Sequence, residues 1–299
     1  MKSITQNNKS IGTIFAILAT LIWSANFVIA RGLSSQVPPI TLAFYRWFTA
    51  LIAISPFAVK SAWQNRTIIK ENILYLTLAG FFGVTLFNTL IYIAGQSTTS
   101  FNLSLIAVSS PIFIVAFAIL FFKERIKIIK GLGIFIVILG VFLLLTKGNI
   151  STLSTLKFAH GDLWMLLAAI VFAVYSMLVR IKPKLIETRI FLFSTFLIGV
   201  ILLIPAYLWE CSNGQYIASI NSKTMYAILY LGIFASLIAF YLWNEAIHKI
   251  GSSKSALIYY LIPVFSGFLA YLFLGEKIVS GQFISMLVIL IGLVIYNRF

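Results

Sequence analysis

The sequence predicts an all-α integral membrane protein with ten transmembrane helices in two inverted five-helix repeats. Three observations support this prediction: few charged residues, long apolar runs and an internal repeat. Of the 299 residues, 61% are hydrophobic and 10% are charged, against roughly 25% charged residues in soluble domains. The apolar runs do not alternate with a period of two, as the strands of a transmembrane β-barrel would. The composition therefore favours a bundle of membrane-spanning helices.

Ten apolar segments approach the ~20 residues that a helix needs to cross a bilayer. They are Ile11–Ala30, Ile40–Val59, Ile73–Ala94, Leu103–Phe122, Ile128–Thr146, Leu163–Val179, Ile190–Trp209, Met225–Ala246, Ala256–Leu274 and Gly281–Tyr296. Short turns join these segments, and no soluble domain is expected. Each span would therefore run opposite to the one before it.

The two halves of the chain, residues 1–150 and 151–299, repeat one pattern. An offset of 149 residues relates Gly12 to Gly161, Arg31 to Arg180, and Pro56 to Pro205. An offset of 152 relates Gly80 to Gly232, Ala94 to Ala246, Pro111 to Pro263, Glu124 to Glu276, and Gly140 to Gly292. Because each half has an odd number of spans, the second half would enter the membrane from the opposite face. Inverted repeats of this kind are typical of secondary transporters.

The net charge of +15 is better explained by membrane orientation than by nucleic-acid binding. With the N-terminus in the cytoplasm, 16 Lys and Arg residues fall on the cytoplasmic side and 5 on the outer side, while Arg46 lies inside a span. This asymmetry follows the positive-inside rule. We therefore expect a multi-pass protein of the cytoplasmic (inner) membrane with both termini inside, a lipid bilayer around it and no nucleic-acid partner.

Four segments of the chain resemble one known family. The stretch Pro39–Trp47 resembles the second helix of EamA-like transporters, which belong to the drug/metabolite transporter superfamily. Pro111–Arg125 and Pro263–Lys277 resemble that family's repeated segment from a proline to Gly-Glu-Arg, and Tyr241–Ala246 resembles the end of its eighth helix. The resemblance covers the whole chain. It implies two inverted five-helix bundles around a central cavity that opens alternately to either side.

The repeated segments also carry two prolines and two departures from the family pattern. Pro111 and Pro263 are expected to kink or loosen the fourth and ninth helices, because proline removes a backbone hydrogen bond. Each kink would be either a hinge or gate, or a simple bend. The departures are Lys123, where the family usually has glycine, and Lys277 in place of arginine. Neither changes the expected fold.

Polar and aromatic side chains inside the spans mark a candidate substrate pocket, because such groups usually face the bundle interior or a water-filled path. The predicted substrate-binding residues are Trp23, Asn26, Arg46, Asn88, Tyr92, Tyr175, Tyr241, Asn244 and Tyr260. Helical spacing places Trp23 and Asn26 on one face, and Asn88 and Tyr92 on another. The alternative for each is an interhelical hydrogen bond or plain packing.

Arg46 is the one full charge well inside a predicted span. It lies about six residues into the second helix, hence ~9 Å from its outer end at 1.5 Å per residue. Three roles fit this position: a structural or gating element, a side chain that snorkels to the interface, or an attractor of an anionic or carboxylate-bearing solute. The second half has no equivalent charge, because the matching position is Thr195.

The positions of the acidic residues limit the chemical classes of solute that fit the protein. All seven Asp and Glu residues lie at span ends or in loops, so no mid-bilayer carboxylate is present to relay protons or to bind a strongly cationic solute. Neutral, zwitterionic or weakly anionic metabolites fit better, with amino acids foremost. We therefore expect a secondary transporter that exports such solutes by alternating access. An uptake carrier or drug-efflux permease of the same fold, and a channel, are the alternatives.

The remaining expectations concern chemistry and assembly. No His, Cys, Asp and Glu cluster suitable for catalysis or metal binding is evident in the sequence, so neither an enzyme, a cofactor nor a metal site is predicted. Gly133, Gly140 and Gly292 lie in apolar spans that otherwise have few polar residues. Such small residues allow close helix packing, within the chain or in a homodimer.

The inverted repeat makes a direct topological prediction. Lys127 follows the fourth span and Lys277 follows the ninth, which is its counterpart. Cysteines introduced at these two positions should react with a membrane-impermeant thiol reagent from opposite sides of the membrane. Labelling of both from the same side would contradict the inverted arrangement.

Overall fold

The computed structural model describes residues 2–98, 100–124, 127–145, 159–213, 221–274 and 280–298, and within these ranges it is helical without β-strands. The first eight α-helices are α1 Lys2–Ser24, α2 Asn26–Gly32, α3 Pro39–Gln64, α4 Arg66–Glu71, α5 Ile73–Gly80, α6 Phe87–Ser97, α7 Ser100–Ala107 and α8 Ser110–Phe122. The other eight are α9 Ile128–Leu145, α10 His160–Arg180, α11 Thr188–Ser212, α12 Ser222–Leu229, α13 Ala239–Ile250, α14 Ser252–Tyr259, α15 Ile262–Leu274 and α16 Ser280–Arg298.

Six continuous helices in the described ranges are long and apolar enough to cross a membrane. They are Lys9–Gly32, Pro39–Gln64, Ile73–Ser97, His160–Arg180, Thr188–Ser212 and Ser222–Ile250. Shorter apolar helices cover Ser110–Phe122, Gly131–Gly140 and Phe283–Tyr296. The outer surface carries large exposed apolar side chains such as Phe57 and Leu74, which are 73% and 72% exposed. A surface of this kind suits a hydrocarbon environment, so the prediction of a helical membrane protein is confirmed.

Two of the long helices contain a π-helical segment, in which the backbone is wider than in an α-helix. We name them π1, Phe81–Leu86, between α5 and α6, and π2, Tyr230–Ile238, between α12 and α13. The end of π2 lies 152 residues after the end of π1, which is the offset of the sequence repeat. Such segments occur frequently at functional sites.

The helices that contain Pro111 and Pro263 are both interrupted just before the proline. The first break separates α7 from α8, and the second separates α14 from α15. Tight turns replace the helix there: the Ser109 amide donates to the Ile106 carbonyl (2.9 Å), and the Tyr260 amide donates to the Leu257 carbonyl (3.2 Å). The structure thus shows the expected interruptions, while their role as a hinge or gate stays a prediction.

The packing follows the repeat. The helix α1 packs against α13, and its counterpart α10 packs against α6, which is the counterpart of α13. The helices α3 and α11 also pack against each other across the two halves. The core between these helices is rich in aromatic side chains and alanine. Contacts between the halves, rather than within them, therefore form most of the centre of the bundle.

The glycines of α9 and α16 bring these two helices together. A Cβ atom at Gly292 would lie 2.7 Å from the Val137 nitrogen and 2.8 Å from the Gly133 carbonyl oxygen. A Cβ atom at Gly140 would lie 2.8 Å from the Ile289 nitrogen. Because backbone atoms cannot yield as side chains do, only glycine fits at this separation. The glycines serve close packing within the chain, and a homodimer remains a separate prediction.

This contact predicts the effect of one added methyl group. Gly292→Ala should destabilise the protein by about 1–3 kcal/mol, since overpacking at a close helix contact has that cost. Gly131→Ala on α9 is the control, because a Cβ atom there would have no neighbour within 4 Å. The free energy of unfolding, measured in mixed detergent micelles, should fall only in the first variant. Equal stability of the two variants would contradict the proposed contact.

Candidate functional site

Arg46 occupies the centre of the bundle and joins the two halves of the chain. Its Nε donates to Ser236 Oγ (2.5 Å), and one Nη atom donates to the Ala235 carbonyl (2.9 Å). The other Nη atom donates to Asn26 Oδ1 (2.9 Å) and to Tyr92 Oη (2.8 Å). The guanidinium therefore connects α2, α3 and α6 of the first half with π2 of the second half.

The charge of Arg46 has no carboxylate partner among the residues that the structure describes. The side chain is 1% exposed, so it does not snorkel to the surface. All of its hydrogen-bond acceptors are neutral, and its other close neighbour is the Trp47 ring, 5.3 Å from the guanidinium carbon. Burying a charge without a counter-ion is costly even when it is hydrogen-bonded. The site therefore carries a net positive charge that an anionic group would relieve.

The segment π2 supplies part of this site through its backbone. The Ala235 carbonyl accepts a hydrogen bond from Trp23 Nε1 (2.8 Å) as well as from Arg46. The hydroxyl of Tyr230, at the start of π2, donates to the Ile22 carbonyl (2.8 Å). Because π geometry departs from the regular α-helical bonding pattern, it can turn such groups toward other helices. It thereby ties α1 and α3 to the second half.

A second polar pair lies at the positions related by the repeat. Tyr175 Oη donates to Asn244 Oδ1 (3.1 Å), and both side chains are buried. Tyr175 is the counterpart of Asn26 at the offset of 149, and Asn244 is the counterpart of Tyr92 at 152. The amide and the phenol have thus exchanged places between the halves. With Thr195 in place of Arg46, they bond to each other directly instead of through a guanidinium.

An aromatic cluster fills the space beside these two polar groups. The Trp23 ring lies 5.5 Å from the rings of Phe172 and Phe240, 5.3 Å from Trp243 and 6.0 Å from Tyr259, measured between ring centroids. Phe172 is the repeat counterpart of Trp23. Rings from both halves therefore form one continuous aromatic wall beside the Arg46 site.

Several buried polar atoms have no hydrogen-bond partner in the described part of the protein. They are Trp47 Nε1, both amide atoms of Asn88, Ser110 Oγ, Ser176 Oγ, Trp243 Nε1, Asn244 Nδ2 and Tyr260 Oη. A buried donor or acceptor without a partner costs about 1–3 kcal/mol. These atoms are therefore candidates for hydrogen bonds to a ligand.

The nine predicted pocket residues do not all lie together. Trp23, Asn26, Arg46 and Tyr92 form one bonded unit, and Tyr175 and Asn244 form the second pair, as described above. Asn88 is fully buried. Tyr260 is buried in a different cluster, with Leu293 and Tyr296, and Tyr241 is 43% exposed. The last two residues thus lie away from the Arg46 site.

Sequence reasoning missed the contributions of π2 and of two aromatic residues. Ser236 was visible as a polar residue inside a span, and Phe172 as the repeat counterpart of Trp23. Trp243 lies within the eighth-helix segment but was not selected. The Ala235 carbonyl has no signal in the sequence, because a backbone acceptor exposed by a π-helix does not depend on the side chain.

One end of the bundle is closed by an ion pair between the halves. Glu124 Oε1 lies 2.6 Å from an Arg180 Nη atom, and Glu124 Oε2 accepts from Ser253 Oγ (2.5 Å). Glu124 belongs to the first half of the chain and Arg180 to the second. Lys123 turns the chain here with a left-handed backbone (φ +51°). Glycine favours this conformation, which accounts for the usual glycine at this position.

At the other end, different residues join the halves. Thr98 Oγ1 donates to Asp162 Oδ1 (2.5 Å), and a Cβ atom at Gly161 would lie 2.4 Å from the Ala94 carbonyl oxygen. At the same end, but within the first half, Arg31 donates to the Gly95 carbonyl (2.8 Å). Glu276, the repeat counterpart of Glu124, and Lys277 lie outside the described residues.

A cleft of about 430 Å³ opens beside the loop between α10 and α11. We call it the α11 cleft. It is lined by Lys182, Lys184, Ile186, Glu187, Thr188, Arg189, Tyr241, Glu245 and His248. The hydroxyl of Thr188 donates to the Glu245 carboxylate, and the Lys182 ammonium donates to the Ile186 carbonyl. Burial lowers the pKa of Lys182, although Glu245 and Glu187 oppose this effect.

The two buried tyrosines should differ in their contribution to stability. Tyr92→Phe leaves an N–H group of the Arg46 cation without an acceptor and should cost about 1.5–3 kcal/mol. Tyr175→Phe breaks a bond between neutral groups and should cost about 1 kcal/mol. Unfolding of both variants in mixed micelles would measure the difference. A Tyr175→Phe variant that is as destabilised as Tyr92→Phe would contradict the importance of the charge.

Comparison with known proteins places this chain in a family. Residues 10–146 and 159–298 each match the EamA-like transporter family. The chain is similar to an uncharacterized transporter of Archaeoglobus fulgidus, with 29% identity over 87% of this chain and 88% of the relative. It is also similar to the uncharacterized transporter YyaM of Bacillus subtilis, with 25% identity over 91% and 89% of the two chains.

A solved crystal structure with 20% sequence identity has the same fold, with a TM-score of 0.74 over 97% of both chains. The names of the relatives and the family match indicate a transporter rather than an enzyme. Two matches to one family, which together cover most of the sequence, are the direct basis for classification. The chain therefore belongs to the EamA-like transporter family.

Proposed function

We propose that this protein is a secondary transporter of the cytoplasmic membrane that exports amino acids or related small metabolites by alternating access. The observation that carries the proposal is the buried, unpaired guanidinium of Arg46 between the two halves of the chain. A carboxylate-bearing solute would supply the counter-ion that is absent from the described residues around Arg46. The family membership supports the transport of a small molecule, and the site suggests its chemical class.

The proposed architecture has ten spans in two inverted repeats, residues 1–150 and 151–299, with both termini in the cytoplasm. Contacts at the Asp162 end support the inversion. The same segment, residues 94–95, contacts Arg31 near the end of the first span and Gly161 at the start of α10. Equivalent helices of the two halves therefore run in opposite directions. The charge asymmetry of the loops supports the orientation.

The proposed recognition of a solute uses two parts of the site. The carboxylate would replace Tyr92 and Asn26 as an acceptor of N–H groups on Arg46, and the resulting hydrogen bonds would be charge-assisted. The aromatic wall around Trp23 would contact the apolar part of the solute. An ammonium group would find ring faces there, which attract cations. This combination favours a zwitterion with an apolar side chain.

Alternating access would be a rocking of the two halves about the central site. The Glu124–Arg180 ion pair joins the halves at one end, and the Thr98–Asp162 bond joins them at the other. Opening either end requires its bond to break, because both partners belong to different halves. The helix breaks before Pro111 and Pro263 are the proposed hinges, since they already lack regular backbone bonding.

The alternative functions differ in how well they fit the buried charge of Arg46. A permease for cationic drugs would have to bring a second positive charge close to Arg46, and Coulomb repulsion disfavours this. A channel would more naturally show a charged ring or filter than a packed aromatic centre. An uptake carrier uses the same site in the opposite direction. We propose export, and a homodimer remains compatible with the fold.

The function can be tested in two stages. The first compares the metabolites released by cells with and without the protein, which identifies the exported solute. The second measures exchange of that solute in proteoliposomes. Saturable flux that is accelerated by solute on the other side indicates a carrier, whereas flux that rises without saturation indicates a channel. The absence of any carboxylate-bearing solute from the first comparison would contradict the proposal.

Substitutions in the site should impair exchange of the solute. Arg46→Gln and Asn88→Ala should each lower exchange by at least about tenfold, which corresponds to the loss of ~1.4 kcal/mol of interaction. Their membrane insertion should be unchanged. Tyr241→Phe is the control, because Tyr241 lies outside the Arg46 site, and its exchange should match wild type. Normal exchange in Arg46→Gln would show that the guanidinium takes no part in recognition of the solute.

A further inference from the structure

The helices α3 and α11 occupy equivalent positions in the two halves, but their N-termini differ. The amides of Ile40 and Thr41 in the first turn of α3 donate to the Glu210 carboxylate, at 3.1 and 2.6 Å. The Thr41 hydroxyl also donates to Glu210 (2.8 Å). Glu210 belongs to the other half of the chain. An anion therefore occupies the N-terminus of α3, as expected where free amides and the helix dipole converge.

The N-terminus of α11 has the same free amides without the carboxylate. Ile40 and Thr41 correspond to Arg189 and Ile190 at the offset of 149, and Glu210 corresponds to Ser61. The N-cap residue Glu187 makes no side-chain cap bond. Within the described residues, the amides of Arg189 and Ile190 have no acceptor outside the helix. The repeat thus shows an anion site that is filled in one half and open in the other.

The open N-terminus lines the α11 cleft, and the cleft has an excess of hydrogen-bond donors. Lys182, Lys184 and Arg189 carry three positive charges there. Lys184 makes no ion pair among the described residues. The Lys182 ammonium uses one donor on the Ile186 carbonyl, which leaves its other N–H groups for a ligand. Three cations and the amides of one helix thus converge on one space of about 430 Å³.

Two acids also line the cleft, but other groups already engage them. Glu187 Oε2 lies 2.7 Å from Arg189 Nε, so Arg189 and Glu187 offset each other's charge. Glu245 accepts a hydrogen bond from the Thr188 hydroxyl and lies 3.9 Å from the Lys249 ammonium. The charges that remain for a ligand are those of Lys182 and Lys184, beside the amides of the first turn of α11. An anion matches this remainder, whereas a cation would compete with Arg189 and Lys249 for the acids.

We propose that the α11 cleft binds a phosphate group. Phosphate offers three or four oxygen acceptors in a tetrahedral arrangement, and the donors of the cleft come from several directions: two lysines, one arginine and the first turn of α11. A planar carboxylate would satisfy fewer of them. The phosphate can belong to the headgroup of an anionic phospholipid or to a soluble molecule, and the experiment below distinguishes these sources.

The binding test uses the purified full-length protein after removal of bound lipid. Three probes are added separately: dioleoyl phosphatidylglycerol, dioleoyl phosphatidylcholine and inorganic phosphate. Native mass spectrometry counts the lipid molecules retained, and the unfolding temperature reports stabilisation by each probe. Phosphatidylglycerol should bind and raise the unfolding temperature. Phosphatidylcholine is the control for the effect of the acyl chains, and it should bind at least about tenfold more weakly because its choline group opposes the cations.

The source of the phosphate follows from the third probe. Stabilisation by phosphatidylglycerol but not by inorganic phosphate supports a lipid headgroup. Stabilisation by both supports a site that is open to soluble phosphate compounds. The absence of stabilisation by either probe would overturn the proposal.

Paired substitutions show whether the α11 cleft is the site. Lys182→Gln combined with Lys184→Gln should weaken the binding by at least about tenfold, because two charge-assisted bonds are lost. Lys60→Gln combined with Lys70→Gln removes the same charge from exposed positions outside the cleft and should leave binding within about twofold of wild type. Equal weakening in the two double variants would show a general charge effect and overturn the proposal.

Ser61→Glu is a second and independent test. It introduces a carboxylate at the counterpart of Glu210, so that the protein itself can cap the α11 N-terminus. We expect a higher unfolding temperature without ligand and binding of the phosphate probe that is weaker by at least about tenfold, since one anion excludes another. A folded Ser61→Glu variant with unchanged phosphate binding would overturn the proposal.

Discussion

The structure depends on one buried cation that has no counter-ion among the residues described above. The guanidinium of Arg46 holds α2, α3 and α6 of the first half against π2 of the second half through four hydrogen bonds to neutral groups. Hydrogen bonds to a charged group are stronger than neutral ones, so they organise the centre of the bundle. They do not cancel the charge. The contact that joins the halves is for this reason also the place where an anionic group is most favoured.

The two halves share a framework but use it differently. Where the first half has Arg46 between Asn26 and Tyr92, the second half has a direct bond between Tyr175 and Asn244. Where the N-terminus of α3 is capped by Glu210, that of α11 opens into a cleft lined by cations. The repeat maintains the positions of helices, π-segments and helix breaks. The functional asymmetry lies in a few side chains placed on equivalent backbones.

Much of the fold could be predicted from the sequence, because only helices and closed barrels can span the hydrocarbon core of a bilayer. The repeat offsets also located the helix breaks before Pro111 and Pro263. The same reasoning selected Trp23, Asn26, Arg46 and Tyr92, which lie together, since polar groups inside spans rarely face lipid. It was less useful for Tyr241 and Tyr260. Tyr241 follows π2, where the period of 3.6 residues no longer gives the face, and Tyr260 lies in the break between α14 and α15, where helical spacing does not apply. The Ala235 carbonyl carries no sequence signal.

The most direct measurement is an experimental structure with the exported solute bound. We predict that the carboxylate of the solute lies within hydrogen-bond distance of the Arg46 guanidinium, with Tyr92 and Asn26 displaced from it and the solute's apolar part against Trp23. A structure in which the solute binds elsewhere, and Arg46 keeps its bonds to Tyr92 and Asn26, would contradict this role of Arg46.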